Sequence, residues 1–494
     1  MRVCICYNIW IKISCACYYY YLILRCAKLN NVTAMNKLSS IFLLGVAAVM
    51  PVQAKVELPN YITDNMVVQQ NSVMTLSGQA APTSNVTVSA TWCSNPVETK
   101  SDKNGKFEIS LPTPAAGGPY SIIIADKDSK VKIGNVLSGE VWLCSGQSNM
   151  EFPVEGWTSV MDADHVVSTA RNPDIRLLQV KKKTSFAPMD DIEVNMGGWV
   201  EAAPNTMDFS AIAYLYAKEL RDSLRVPVGV IDATWGGTPA EAWTSFEYLK
   251  DIPGFEIQRQ EEGSSCPSVL YNAMIHPLRN LPVKGVLWYQ GCANVGRAEQ
   301  YEPLFQSLIR NWRSTWGEEF PFYFVQLAGW LAPQAVQPDS EWAALRNAQS
   351  KALQLPNTAM VSAIDLGNPG DIHPRDKQTV AHRLALTALG RDYGHDTNYK
   401  APQCISMENR GNRIVLKFDD ALTATSSAIL GFIIGDAKGH FDQAVVEMTG
   451  PATLELYSPL VKNPVCARYD WADFPNGNLY SRHGIPVVPF ATDK

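Results

Sequence analysis

Gly139-Glu140-Val141-Trp142-Leu143-Cys144-Ser145-Gly146-Gln147-Ser148-Asn149-Met150 is an apolar run that stops in small residues and then presents a serine. Val141 to Cys144 reads as a short buried strand, and Ser145-Gly146 as its end. Where a chain leaves a buried strand and turns into a helix, a side chain is held out into a cleft. The backbone N–H groups of the helix start then lie beside it, as donors for an oxyanion. Ser148 is therefore a candidate nucleophile, provided that a base activates it, because an ordinary hydroxyl attacks poorly near pH 7. The same residues also fit a Ser/Asn turn that merely caps a helix. Asn149 and Met150 distinguish the stretch from the Gly-x-Ser-x-Gly elbow.

Outward from this stretch, strands alternate with helices. Asp208 or Ser210 can cap a helix whose buried face includes Ile212, Tyr216 and Leu220. Val228 to Ile231 is a short buried strand leading to Trp235-Gly236-Gly237, and Val286 to Tyr289 is another. A helix over Tyr301 to Trp312, a strand over Phe322 to Leu327 and a helix around Trp342 to Leu355 follow. The strand Ala359 to Ile364 and a helix from about Lys377 to Gly390 complete the series. This alternation predicts βαβ units and an α/β fold, a parallel sheet inside a three-layer α/β/α domain over residues 138–398. Ligands of such sheets lie beyond the carboxyl ends of the strands.

Upstream, residues 55–137 are patterned as a small all-β, sandwich-like domain. Val73 to Gly78, Val86 to Ala90 and Phe107 to Leu111 read as strands, with Asp102-Lys103-Asn104-Gly105-Lys106 as a hairpin turn. Tyr120 to Ala125 is a further strand. Downstream, residues 399–494 form a β-rich segment containing strands such as Arg413 to Phe418. Residues 35–54 have the form of a secretory signal: Met35, the charged Lys37, an apolar core from Ile41 to Met50, and Val52-Gln53-Ala54 as a cleavage site. Residues 1–34, rich in Cys and Tyr, read as a mis-assigned upstream extension. The apolar core is too short for a stable membrane anchor, so a periplasmic or secreted protein is expected.

The chain is 46% hydrophobic and 18% charged, which is a globular composition. Its net charge of −6, with no Lys/Arg-rich run, argues against a nucleic-acid partner. Beyond residue 54 six cysteines remain, Cys93, Cys144, Cys266, Cys292, Cys404 and Cys466. They contain no Cys-x-x-Cys, and the chain has no His-Glu-x-x-His, no phosphate-binding loop and no Gly-x-Gly-x-x-Gly after a strand. Neither metal nor cofactor is expected.

Four segments in order carry a resemblance: Gly146-Gln147-Ser148-Asn149-Met150, Trp235-Gly236-Gly237-Thr238-Pro239, Trp288-Tyr289-Gln290-Gly291 with Asn294, and Asp371-Ile372-His373-Pro374. Together they resemble the SGNH (GDSL-like) hydrolases, most closely their carbohydrate O-acetylesterase branch, which includes sialate O-acetylesterases. The resemblance spans roughly residues 55–494, with its motifs in the central domain. It implies Ser148 as nucleophile, His373 as base and Asp371 as the acid that orients His373. The superfamily's usual spacing puts Asp three residues before the His, where this chain has Gly370. Asp371, a backbone carbonyl or Asp365 can fill the orienting role, and Asp371 can equally cap the following helix. For the oxyanion, the Ser148 N–H, a glycine N–H at Gly236 or Gly237, and an amide from Gln290 or Asn294 fit the family scheme. Relatives commonly have Glu-Ser where this chain has Cys292-Ala293, and Cys292 reads as packing rather than as a nucleophile.

The reading is an exported serine esterase that removes O-acetyl groups from a carbohydrate, foremost sialic acid, through an acetyl-enzyme. Alternatives are an acetylxylan or other glycan acetylesterase, a glycosidase using paired carboxylates among Glu140, Glu241 and Asp371, and a non-catalytic glycan-binding protein on the same fold. Trp157, Trp235, Trp243, Trp288 and Tyr289 are candidates for stacking on sugar faces, although most aromatic residues of this kind belong to cores.

Overall fold

Seven consecutive residues, Glu140 to Gly146, all but Glu140 apolar or small, are buried because parallel strands lie on both sides of them and helices cover both faces. The computed structural model describes residues 55–253 and 263–494; the expected leader and the extension before it lie outside the described residues.

The N-terminal strands are β1 (Val67–Gln69), β2 (Val73–Gln79), β3 (Asn85–Ala90), β4 (Val97–Lys100), β5 (Lys106–Pro112), β6 (Gly117–Ala125) and β7 (Lys130–Gly146). β2 pairs with β5, whereas β3 pairs with β4 and β6, and β6 with β7. Alternate residues point inward, as in β5, where Phe107, Ile109 and Leu111 are buried and their neighbours exposed. The turn at Asp102 to Lys106 forms, with the Asp102 N–H donating to the Lys106 carbonyl. It is not a hairpin: it carries the chain from β4, in one sheet, to β5, in the other. A turn sequence specifies a reversal but not whether the two strands then pair.

β7 runs for 17 residues. Its first half pairs antiparallel with β6 and its last seven residues become the middle of the central sheet. The expected junction at 137/138 thus falls inside one continuous strand, and one hydrophobic core runs from Val56 to Leu389.

The central sheet adds β8 (Asn172–Gln179), β9 (Val200–Ala202), β10 (Val228–Thr234), β11 (Gly285–Tyr289), β12 (Phe322–Gln326) and β13 (Thr358–Ser362), in the order β13-β12-β11-β7-β10-β8-β9. All pairings are parallel except that of the edge strand β9. Every residue of β10, β11 and β12 is buried, which explains their mainly apolar character, broken only near their carboxyl ends by Asp232, Thr234 and Gln326. The principal helices are α1 (Ser148–Glu151), α2 (Ala211–Leu224), α3 (Ala298–Trp316), α4 (Glu341–Ser350) and α5 (Lys377–Asp392). Ser210 caps α2, its Oγ accepting from the Ala213 N–H. These elements confirm the α/β fold with additional β-rich regions.

Register fixes where the motifs emerge. Gly146 lies opposite Thr234 on one side and Tyr289 on the other, so β7, β10 and β11 end level with one another. At Gly146 φ is +137° and an added Cβ would lie 2.2 Å from the Tyr289 carbonyl oxygen. Only glycine lets β7 end so close to β11, and the next N–H, that of Gln147, donates to that same carbonyl.

After α5, β14 (Cys404–Arg410), β15 (Arg413–Phe418), β16 (Leu422–Ala424), β17 (Phe432–Asp436), β18 (Phe441–Gln443), β19 (Val445–Gly450), β20 (Thr453–Tyr457), β21 (Pro464–Tyr469), β22 (Leu479–Ser481) and β23 (Phe490–Ala491) form two four-stranded sheets and a two-stranded one around a separate core. Residues 468–473 dock against the central unit. Arg346 of α4 donates to the Ala472 carbonyl, Ser340 and Trp330 bond Asp473, and Arg468 donates to the Pro338 carbonyl.

Gly146→Ala should destabilise the fold by at least about 2 kcal/mol, combining a positive-φ penalty with a backbone clash. Urea denaturation followed by tryptophan fluorescence measures this; an unchanged midpoint would contradict the role given to Gly146.

Candidate active site

The carboxyl ends of β7, β10 and β11 and the loop after β13 converge on Ser148. Ser148 opens α1, so its own N–H and that of Asn149 precede the first intrahelical bonds, which begin with Met150 and Glu151 donating to the Gln147 carbonyl. Gln147 is buried, and its side-chain oxygen accepts from the N–H groups of Gly291 and Ala293. The Ser148 turn is thereby fixed to the loop that follows β11.

His373 Nε2 lies 2.8 Å from Ser148 Oγ. Asp371 Oδ1 stands 3.4 Å from His373 Nδ1 and accepts the His373 backbone N–H at 2.9 Å. Asn368 shapes this loop by accepting the N–H groups of Gly370 and Asp371. Asp371 does not cap α5; Asp376 does, accepting from Thr379. Asp365 is also excluded as the orienting acid, since both its oxygens grip Arg383 at 2.8 Å. Burial is the main influence on His373 and holds its pKa below the 6.5 of a free imidazole, with Asp371 opposing. The ring is then neutral near pH 7, with Nε2 able to take the serine proton.

The expected oxyanion donors differ in how they are already bonded. Gln290 is wholly buried and its Nε2 donates to Thr238 O and Asn294 Oδ1. Asn294, also buried, donates through Nδ2 to Glu241 and accepts from Ala240. Both amides are structural ties beneath the loops rather than groups facing a substrate. Of the two glycines, Gly236 comes close to the serine, an added Cβ there lying 3.2 Å from Ser148 Cβ. Its N–H, however, donates at 2.6 Å to Glu151 Oε2. Gly237 has φ +75° and open space where a Cβ would sit, and its N–H has no partner among the described residues. Among the expected oxyanion groups, the N–H groups of Ser148 and Gly237 have no partner among the described residues.

Glu151, missed in the sequence, has its second oxygen 2.6 Å from Lys182 Nζ, which lies 5.9 Å above the Trp235 ring. Asn149 and Lys377 were missed as well. Cys292 is packing, its thiol pushed up to about 12 by burial. Trp243, Trp288 and Tyr289 belong to the core, whereas Trp157 is 57% exposed and sets its ring edge-on to His373 at 5.7 Å. Arg375 fastens the Trp157 loop to the base loop through Ser159 and Val160.

A paired-carboxylate glycosidase does not fit. Glu140 sits six residues before Gly146, about 20 Å along the strand, bonded to Gln69, Gln70 and Tyr393. Glu241 is paired with Arg297.

A family model for "Carbohydrate esterase, sialic acid-specific acetylesterase" matches residues 138–389. The chain is similar to the sialate O-acetylesterase of Mus musculus, 32% identical across 84% of this chain and 89% of that protein. It is 33% identical to that of Homo sapiens across 68% of this chain and 71% of that protein. Among solved structures, a carbohydrate acetylesterase from Xanthomonas citri is 37% identical, superposes with a TM-score of 0.82, and is matched over 89% of this chain and 100% of its own.

Asp371→Asn should lower kcat by about 10- to 100-fold, short of the ~10⁴-fold seen where a buried Asp holds the base, because this carboxylate is half exposed and its Nδ1 contact is long. Asp365→Asn should leave kcat near wild type and cost stability, up to about 3–5 kcal/mol for a broken buried pair. Steady-state kinetics and urea unfolding on the two variants check this; a collapse of kcat in Asp365→Asn would overturn the assignment.

Proposed function

The chain belongs to the sialic acid-specific acetylesterase family of carbohydrate esterases, carboxylic ester hydrolases that remove O-acetyl groups from carbohydrates, and from that premise we propose that Ser148, His373 and Asp371 perform the deacetylation. The observation that carries this reading is the 2.8 Å contact between His373 Nε2 and Ser148 Oγ at the sheet's carboxyl edge. Ser148 Oγ attacks the acetyl carbonyl carbon as His373 Nε2 takes its proton. The oxyanion of the tetrahedral intermediate faces the N–H groups of Ser148 and Gly237. Collapse breaks the bond to the sugar oxygen, which leaves with the proton returned by His373. Water, giving a proton to His373, then attacks the acetyl-enzyme, and acetate departs as Ser148 regains its hydrogen.

We assign O-acetylated sialic acid as the substrate, following the family and the sialate O-acetylesterases it resembles. Exposed Trp157, edge-on to the base, is the platform for the sugar ring. Ser148→Ala should lower kcat by at least ~10³-fold on p-nitrophenyl acetate and on O-acetylated sialic acid alike. Trp157→Ala should raise KM for the sugar ester while sparing the small aryl ester. Greater activity on acetylated xylan than on acetylated sialic acid would overturn the substrate assignment, and a fluorophosphonate adduct located elsewhere by mass spectrometry would overturn the nucleophile.

No helix among the described residues is long and apolar enough to cross a membrane. We place the protein in the periplasm or outside the cell, on the signal-like pattern of residues 35–54. N-terminal sequencing of the native protein should find a chain starting near Lys55, and retention of Cys4 to Cys26 would refute export from Met35.

A further inference from the structure

Asn149 follows the nucleophile directly and Ile372 precedes the base directly, and the two are joined: Asn149 Nδ2 donates to the Ile372 carbonyl at 3.0 Å. The other end of the Asn149 amide is held as well, Oδ1 accepting from Lys377 Nζ at 2.6 Å. Lys377 is completely buried as the first residue of α5, and forms no ion pair among the described residues. Its ammonium instead lies over two rings, 4.6 Å from the Phe152 centroid and 5.6 Å from that of Tyr289. Phe152 ends α1, and Tyr289 ends β11 beside Gly146. One cation therefore touches the nucleophile helix, the neighbouring strand and, through Asn149, the base loop.

A buried ammonium with a single amide partner is expensive, and a methionine of similar length would fill the slot without that cost. Its retention here coincides with the one place where the serine and histidine segments must be held in register. We propose that Lys377 and Asn149 are positioning residues that clamp the His373 loop to the Ser148 helix. Asn149 is fully used by this arrangement: its oxygen can face only a donor such as Lys377, which turns its N–H toward the Ile372 carbonyl. The arrangement rests on the roles proposed for Ser148 and His373.

The charges acting on His373 are the Lys377 ammonium, which lowers its pKa, and Asp371 and Glu151, which raise it. Burial brings Lys377 itself down to about 7, against the pull of Cys292, Asp371 and Asp376. Below that pH Lys377 is charged, so its effect on His373 is present throughout the acid limb of kcat/KM. In the wild type that limb should have its midpoint below 6.5, the direction in which His373 is shifted.

The test compares wild type, Lys377→Met, Asn149→Asp and Ser148→Ala. Lys377→Met should lower kcat by about 10- to 100-fold with little change in KM, the scale of loss expected when catalytic groups are misplaced by about 1 Å. Its acid limb should move to higher pH, because the repulsion that kept the imidazole neutral is gone. The rate of fluorophosphonate labelling at Ser148 should fall in parallel. Asn149→Asp keeps the acceptor for Lys377 but puts an oxygen against the Ile372 carbonyl. It should likewise lose kcat rather than KM, and it decides the matter if near-UV circular dichroism shows that Lys377→Met does not fold. Wild-type kcat and an unmoved acid limb in the folded variants, with Ser148→Ala inactive, would overturn the clamp while leaving the nucleophile intact. Full activity in Ser148→Ala would instead overturn the catalytic reading beneath it.

Discussion

Everything in the central unit depends on how closely the end of β7 approaches β11. Two parallel backbones meet at Gly146 and Tyr289 with no room for a side chain, and the hydrogen bond from the Gln147 N–H seals the contact. That approach sets the level at which the Ser148 turn leaves the sheet. It also puts the Gln147 side chain where it can hold the loop after β11, and Tyr289 where it can underlie the Lys377 ammonium. The serine is thus aimed by backbone packing, and the polar groups around it arrive in places already defined.

Much of this was legible in the sequence, for identifiable reasons. Strands buried on both faces are mainly apolar, so Val228 to Ile231 and Val286 to Tyr289 declared themselves, as did the helix after Ser210, through its spacing and its cap. The order of motifs after successive strands gave the edge on which they gather. The Asp102 to Lys106 turn misled, because a reversal looks the same whether its strands pair or part into two sheets. The amides of Gln290 and Asn294 could not be oriented from the sequence, because motif membership marks a residue as important without saying which way it faces. Here they tie buried loops together.

Glu151, Asn149 and Lys377 were silent because their meaning lies in partners far along the chain. Gly236 is 85 residues from Glu151, and Lys377 is 228 from Asn149. A carboxylate on Gly236 and a cation beneath Asn149 also give the cleft a charge pattern that no local spacing announces. The Lys182–Glu151 pair offsets the first of these, leaving Gly237 as the glycine whose N–H is open to a developing negative charge.

The docking of residues 468–473 against the central unit bears on how the protein is made. The guanidinium of Arg346, fully buried in α4, donates only to the carbonyl of Ala472 among the described residues, and Ser340, which caps the same helix, donates to Asp473. On a ribosome, the segments bearing Ser148 and His373 emerge more than 90 residues before those partners. During that interval α4 carries an unanswered cation on a face that later becomes interior. Order of synthesis and order of contact thus differ: the segments carrying Ser148 and His373 are translated first, and the far end of the chain supplies the groups that α4 bonds.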